Sequence, residues 1–125
     1  MQKENKQFIE LTNFWYSYVG QDHHKDRDCH FYVNQVFSYG QEPYWRIEHY
    51  GYIQELDEQL ANSKYLSYEA AFKNLHLWLL NEVKEVIRFY KDYELEPSLG
   101  GWADYNHEGV KKLANKNLHI LDYEI

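Results

Sequence analysis

DCHFYVNQVFSYGQEPYWRIEHYGYI, residues 28–53, is the part of this 125-residue chain that alternates apolar and polar residues cleanly enough to fix a strand, a turn and a second strand. From Cys29 to Tyr39 the odd positions Cys29, Phe31, Val33, Phe37 and Tyr39 are mostly apolar. The even positions carry His30, Tyr32, Asn34 and Ser38, with Val36 the exception. A period of two is the mark of a sheet buried on one side. The second strand, Tyr44 to Ile53, sets Trp45, Ile47, His49, Gly51 and Ile53 against Tyr44, Arg46, Glu48, Tyr50 and Tyr52. Between them Gly40, Gln41, Glu42 and Pro43 supply a turn glycine and a proline that ends the ladder. Burial demands that both odd sets share a face, so the opposite face collects His30, Tyr32, Asn34, Arg46, Glu48, Tyr50 and Tyr52.

The flanking sequence reads as helices laid around this hairpin. Residues 4–19 place Phe8, Leu11, Trp15, Tyr18 and Val19 at helical spacing, with Gly20 where a C-terminal cap would stand. The polar run from Gln21 to Asp28 has no period and reads as a loop. After the hairpin, Gln54 to Leu66 is a charged link with room for a helical turn through Leu56 and Leu60. Ser67 has the chemistry of an N-cap, with Glu69 in the first turn. From there Tyr68, Phe72, Leu75, Leu79, Val83, Val86 and Tyr90 form one stripe, which predicts a long helix to about Asp92. Leu77 and Trp78 fall off that stripe, so either the first helix or a second subunit is expected to cover them. Glu94 to Tyr105 reads as a loop, followed by a short helix from His107 to Lys116 capped by Asp104 or Asn106. Leu118 to Ile125 alternates again and predicts a third strand, which would give the hairpin the extra pairing a two-stranded unit needs.

Together these predict a single α+β domain over residues 1–125: a small antiparallel sheet, made of the hairpin plus a C-terminal strand, with an N-terminal helix and one long helix packed on one face. The length allows a real core without staples. One cysteine excludes an internal disulfide, and the opening residues lack the apolar run of a signal peptide, so a cytoplasmic location is the expectation. The longest purely apolar run, Leu77 to Leu80, is far short of the roughly 20 residues of a membrane span. A net charge of −7 argues against a generic grip on nucleic acid, which depends on clustered Lys and Arg. Thirteen tyrosines are the compositional oddity, and tyrosine suits interfaces because it offers contact area and a polar tip at low entropic cost.

Three constellations bear on chemistry. In the run from His23 to His30, His24 or His23 with Asp26, Asp28 and His30 forms a nitrogen and oxygen set able to hold zinc or another divalent ion with a position left open. Their spacing matches no established zinc pattern, and a solvated loop whose aspartates cap turns explains the same residues. Cys29 points to the other side of its strand from His30, so the two cannot share a metal, nor can His30 activate Cys29 as a nucleophile. The third is the outward sheet face. Its histidine, carboxylate, guanidinium and phenols would suffice for acid and base chemistry inside a pocket, but aromatic faces more often bind than react. His76, beside the apolar stripe, reads as a core histidine. The leading expectation is a non-enzymatic protein that binds a protein partner, as an inhibitor or adaptor does, through Tyr32, Arg46, Glu48, Tyr50 and Tyr52. The alternative is a divalent-metal protein, a hydrolase among the options, using His24, Asp26, Asp28 and His30. A homodimer through Leu77 and Trp78 is compatible with either.

Overall fold

The alternation that opens the argument becomes two strands in the computed structural model, β1 (Cys29–Val36) and β2 (Tyr44–Gly51), paired antiparallel. The structure describes residues 2–19, 29–51, 60, 62–94 and 107–124. Among these, the other elements are helices α1 (Gln2–Val19), α2 (Tyr68–Lys91) and α3 (His107–Lys116), and a 3-10 helix over Leu118–Asp122. The fold is α+β, with a two-stranded antiparallel sheet, an N-terminal helix and one long helix. By contact the chain divides into two compact units, Asp28–Trp78 and the pair Met1–Arg27 with Leu79–Ile125, and α2 contributes its first half to one and its second half to the other.

In the hairpin unit the register pairs Phe31 with His49, Val33 with Ile47 and Gln35 with Trp45, so odd faces odd as burial requires. Ile47 is 1% exposed, and Phe31, Val33 and Trp45 are partly covered, while Tyr32, Asn34 and Arg46 on the alternate positions are exposed. β1 is shorter than its sequence pattern, while Tyr52 and Ile53 of the second pattern lie outside the described residues. β1 stops at Val36, and Phe37, expected on the inner face, is 73% exposed together with Tyr39. The reason lies in the turn. Gln41 N–H donates to the carbonyl of Ser38 at 3.1 Å, and Gly40 sits at φ 77°, the left-handed value that the third position of a type II turn requires. Closing that turn at Ser38 takes Phe37 and Tyr39 off the ladder before they can point inward.

The first half of α2 covers the inner face of this hairpin. Its start is capped as the sequence indicates: Ser67 Oγ accepts from Ala70 N–H at 3.1 Å. Tyr68, Phe72 and His76 then recur at four-residue spacing, each ring against the next, and Tyr68 meets the edge of Trp45 at 5.6 Å. Two residues on from His76, Trp78 packs its ring edge-to-face with Phe31 at 5.7 Å. Phe31 is thus a neighbour of Trp78 that the helical spacing did not indicate. Leu77, one position round the helix, remains about half exposed. His76 is 2% exposed, a core histidine as read from its place beside the stripe.

In the other unit, Leu11, Phe14 and Trp15 of α1, Leu79, Leu80, Val83, Ile87 and Tyr90 of α2, Val110 and Ala114 of α3, and Ile120 of the 3-10 helix are buried, and α1 contacts α3. The buried stripe of α2 runs through Ile87 where the sequence pattern favoured Val86, a shift of one position that 3.6-residue periodicity absorbs over six turns.

The predicted C-terminal strand is overturned. Leu118–Asp122 continues directly from α3 as a 3-10 helix, with Ile120 N–H donating to Asn117 C=O and Tyr123 N–H to Ile120 C=O, both at 3.0 Å. These local three-residue bonds satisfy the backbone without a sheet neighbour, and Ile120 alone carries the segment's deep burial. The third partner of the sheet comes from the link instead. Trp45 and Tyr65 exchange both backbone bonds, at 2.7 and 2.9 Å, in an isolated antiparallel bridge on the far side of β2.

Candidate functional site

The even positions of the hairpin build one continuous outward face. Register sets Tyr32 opposite Glu48 and Asn34 opposite Arg46, with His30 and Tyr50 paired beyond them. Antiparallel pairs share a face, so the sequence-derived set is brought together as expected wherever the side chains are described. Asn34 Nδ2 donates to Glu48 Oε2 at 2.8 Å, and Arg46 Nε lies 3.9 Å from Glu48 Oε1. Both oxygens of Glu48 are thus turned toward neighbours in the sheet. The Arg46 pair is long and its side chain 46% exposed, so water screens it and it contributes well under about 1 kcal/mol.

The bridge at Tyr65 widens this face by residues the sequence did not flag. With Trp45 opposite Tyr65, antiparallel parity puts Lys64 beside Arg46 and Leu66 beside Tyr44. Lys64 Nζ stands 4.9 Å from the centre of the Tyr44 ring, a cation over a phenol face. Leu66 is almost fully exposed. A single bridged residue leaves no period-two signature, so only the alternation of charge, aromatic and aliphatic in Lys64, Tyr65 and Leu66 hinted at it. The described face therefore presents Tyr32, Tyr44, Leu66, Arg46 and Lys64 around a carboxylate already engaged by Asn34 and Arg46. The described part of this face is aromatic and locally cationic on a chain of net charge −7.

Other sequence-derived candidates fall elsewhere. His24, Asp26, Asp28 and Tyr52 lie outside the described residues, as do the side chains of Cys29, His30, His49 and Tyr50. Among the described residues no group of three or more His, Cys, Asp or Glu side chains is placed to hold a metal ion.

A second cluster, in the helical unit, escaped the sequence reading. Glu10 of α1 accepts on one oxygen from the Tyr123 hydroxyl at 2.5 Å and pairs through the other with His119 Nε2. His119 and Tyr123 meet edge-to-face at 5.6 Å. Around them Lys84 Nζ donates to the Tyr123 carbonyl at 2.5 Å and Gln7 Nε2 to the Glu124 carbonyl at 3.5 Å. Burial pushes the Glu10 carboxyl upward, but the hydrogen bonds from Tyr123 and His119 and the His119 charge outweigh it, so the net displacement is downward. Tyr123 is pushed up to about 12, first by its hydrogen bond to the Glu10 carboxylate, then by burial and by the Glu10 charge. Glu10 reads in sequence as a spacer on a helix, and its two partners are more than a hundred residues away, so no local pattern could announce the cluster. A third grouping stacks His107 on Tyr90 and Tyr93, with His107 Nδ1 at 2.8 Å from the Tyr90 hydroxyl and Lys111 Nζ donating to the Tyr93 carbonyl at 2.5 Å.

No protein-family model, curated protein or solved structure matches this chain. No helix among the described residues is long and apolar enough to cross a membrane.

Proposed function

We propose that this chain is a cytoplasmic, non-enzymatic binding protein that holds a protein partner on the outward face of its hairpin, in the manner of an inhibitor or adaptor. The observation that carries the reading is the concentration of Tyr32, Tyr44, Arg46, Lys64 and Leu66 on one exposed strip of a net-acidic chain. Tyrosine and arginine are the residue types that most often dominate binding energy, and they need no pocket to do so. Arg46 and Lys64 favour a partner whose docking surface is acidic where it meets this strip, even though the chain as a whole is acidic. Tyr50 and Tyr52 extend the same parity and belong to the proposed surface.

Capture from lysate on immobilised wild type, compared quantitatively with Arg46→Glu and with the combined Tyr32→Ala, Tyr50→Ala and Tyr52→Ala variant, tests this. A protein retained by wild type should be lost from both variants, with its affinity falling at least about 30-fold, while circular dichroism and the melting midpoint stay close to wild type. Identical retention by all three would refute the reading.

A further inference from the structure

The three most exposed large apolar side chains among the described residues are Tyr39, Leu66 and Phe37, and all three stand at one end of the hairpin unit. Register explains the meeting. The last rung of the ladder pairs Val36 with Tyr44, and the Tyr65 bridge sets Leu66 beside Tyr44 on the same rung. Strands lie about 4.8 Å apart, so one row of roughly 10 Å carries Val36, Tyr44 and Leu66. Phe37 and Tyr39 come just beyond it, in the turn that closes this end. Scattered apolar side chains on a surface need no explanation, but the three most exposed gathered at one end mark a contact site. The backbone beneath them is fixed in advance. The Ser38–Gln41 bond closes the turn, Gly40 holds φ 77°, and the ring of Pro43 sets its own φ. Tyr39 takes the second position of the turn, where its ring projects fully into solvent with only two torsions left to freeze on binding. A ring presented in this way loses little entropy when enclosed, which favours a recess of definite shape.

The charges around the patch say what lines that recess. On its β2 side Lys64 sits over the Tyr44 ring with Arg46 next to it, whereas the turn side carries the exposed carboxylate of Glu42. We infer that the turn end of the hairpin is a wedge that enters an apolar recess on a partner protein, acidic on the side that meets Lys64 and Arg46 and free of carboxylates where it meets Glu42. The wedge belongs to the binding face proposed above, on which it rests, and is the part of it that penetrates. Phe37 and Tyr39 together offer on the order of 350 Å² to be enclosed, roughly half of the about 800 Å² that each side of a standard interface buries. The outward face with Tyr32, Tyr44 and Arg46 supplies the remainder. A lipid surface fits less well. Glu42 in the same turn would have to leave water together with the rings, and a bilayer, having no fixed shape, gains nothing from a turn fixed in advance.

The test puts the photo-crosslinker p-benzoylphenylalanine in place of Tyr39 in the full chain, and in a control in place of Phe89 on the other unit, inside the cells from which the chain derives. Mass spectrometry then maps each adduct. The expected result is one protein joined from position 39 and not from position 89, attached at apolar residues with Asp or Glu close by. That protein, once purified, should bind Tyr39→Ala at least about tenfold more weakly than wild type, and the combined Phe37→Ala, Tyr39→Ala variant about 100-fold more weakly. Lys64→Glu should cost about tenfold, an effect that shrinks at high salt. Phe37 and Tyr39 are exposed, so their variants keep the wild-type melting midpoint, and the adduct map needs no variant of the fold. Adducts from position 39 only to lipid, only to a second copy of this chain, or to no macromolecule overturn the inference. So does a purified partner that binds Tyr39→Ala or Lys64→Glu as tightly as wild type. If Arg46→Glu abolishes capture and Tyr39→Ala does not, the wedge fails and the binding face stands; if neither does, both fail.

Discussion

Removing the Tyr123 hydroxyl with Tyr123→Phe, the Glu10 charge with Glu10→Gln, and both together makes a double-mutant cycle on a contact that joins the two ends of the sequence. The structure sets its size. A phenol donating to a carboxylate at 2.5 Å is charge-assisted and short, a type of bond worth about 1.5–3 kcal/mol when shielded from water. The Glu10 side chain is 33% exposed, so solvent competes for it, and halving the range leaves about 1 kcal/mol of coupling. For a chain of this length that corresponds to a loss of about 3–5 °C in the melting midpoint for Tyr123→Phe. His119 still pairs with Glu10 in that variant, so the effect isolates the phenol. The pH dependence has a definite sign at each end. Glu10 is held below its ordinary value in the folded chain, so its contribution is present above about pH 4.5 and is lost as pH falls through the lowered value. Tyr123 is raised from 10.0 to about 12, so its contribution is complete below pH 10 and is lost as pH rises from there towards 12. Urea unfolding of the four proteins at pH 3, 7 and 11 measures this. Coupling near 1 kcal/mol at pH 7 and diminished at both extremes is expected; coupling below about 0.3 kcal/mol at pH 7, or undiminished at pH 3, would refute the assignment of a charge-assisted bond.

Substitutions at two further positions probe the hairpin unit. Ser67→Ala removes the hydroxyl that accepts from Ala70 N–H and should cost about 1 kcal/mol in urea unfolding, with Ser67→Asp close to wild type. Gly40→Ala meets no neighbouring atom, so its cost is purely that of the left-handed backbone, about 1–2 kcal/mol, and Gly40→Asn should recover part of it; equal stability of all three proteins would show that the turn does not need φ 77°.

The hairpin was legible because its information is local and periodic: parity alone placed Tyr32, Asn34 and Arg46 outside and Ile47 inside, and the register followed. The long helix was legible for the same reason, from a four-residue stripe and a serine at its start. The tail was not, because the alternation read over Leu118 to Ile125 is as compatible with three-residue turns as with a strand, and only the burial of Ile120 and the distant acceptor Glu10 decide between them. The contact of Trp78 with Phe31 was not legible, because a residue off a helix stripe can meet any neighbour and the sequence does not say that Phe31 lies alongside. Of the candidate face, Tyr32, Arg46 and Glu48 followed from parity; Lys64 and Leu66 required the Tyr65 bridge, a contact two hydrogen bonds wide with no sequence period.

That one unit is contiguous and the other is split has a consequence for how the chain is born. Asp28–Trp78 is contiguous, so β1, the turn, β2 and the first half of α2 are all outside the ribosome before the helical unit is complete. The helical unit cannot finish then. Glu10 emerges early but waits for His119 and Tyr123, and Leu11, Phe14 and Trp15 wait for Val110, Ala114 and Ile120. At about 5–20 residues per second this leaves the apolar face of α1 without its C-terminal neighbours for several seconds. Closing so long a loop also carries an entropic cost, one that grows only slowly with its length. Until then the apolar face of α1 is open to chaperone capture, and a ribosome stalled before Ile120 would display it.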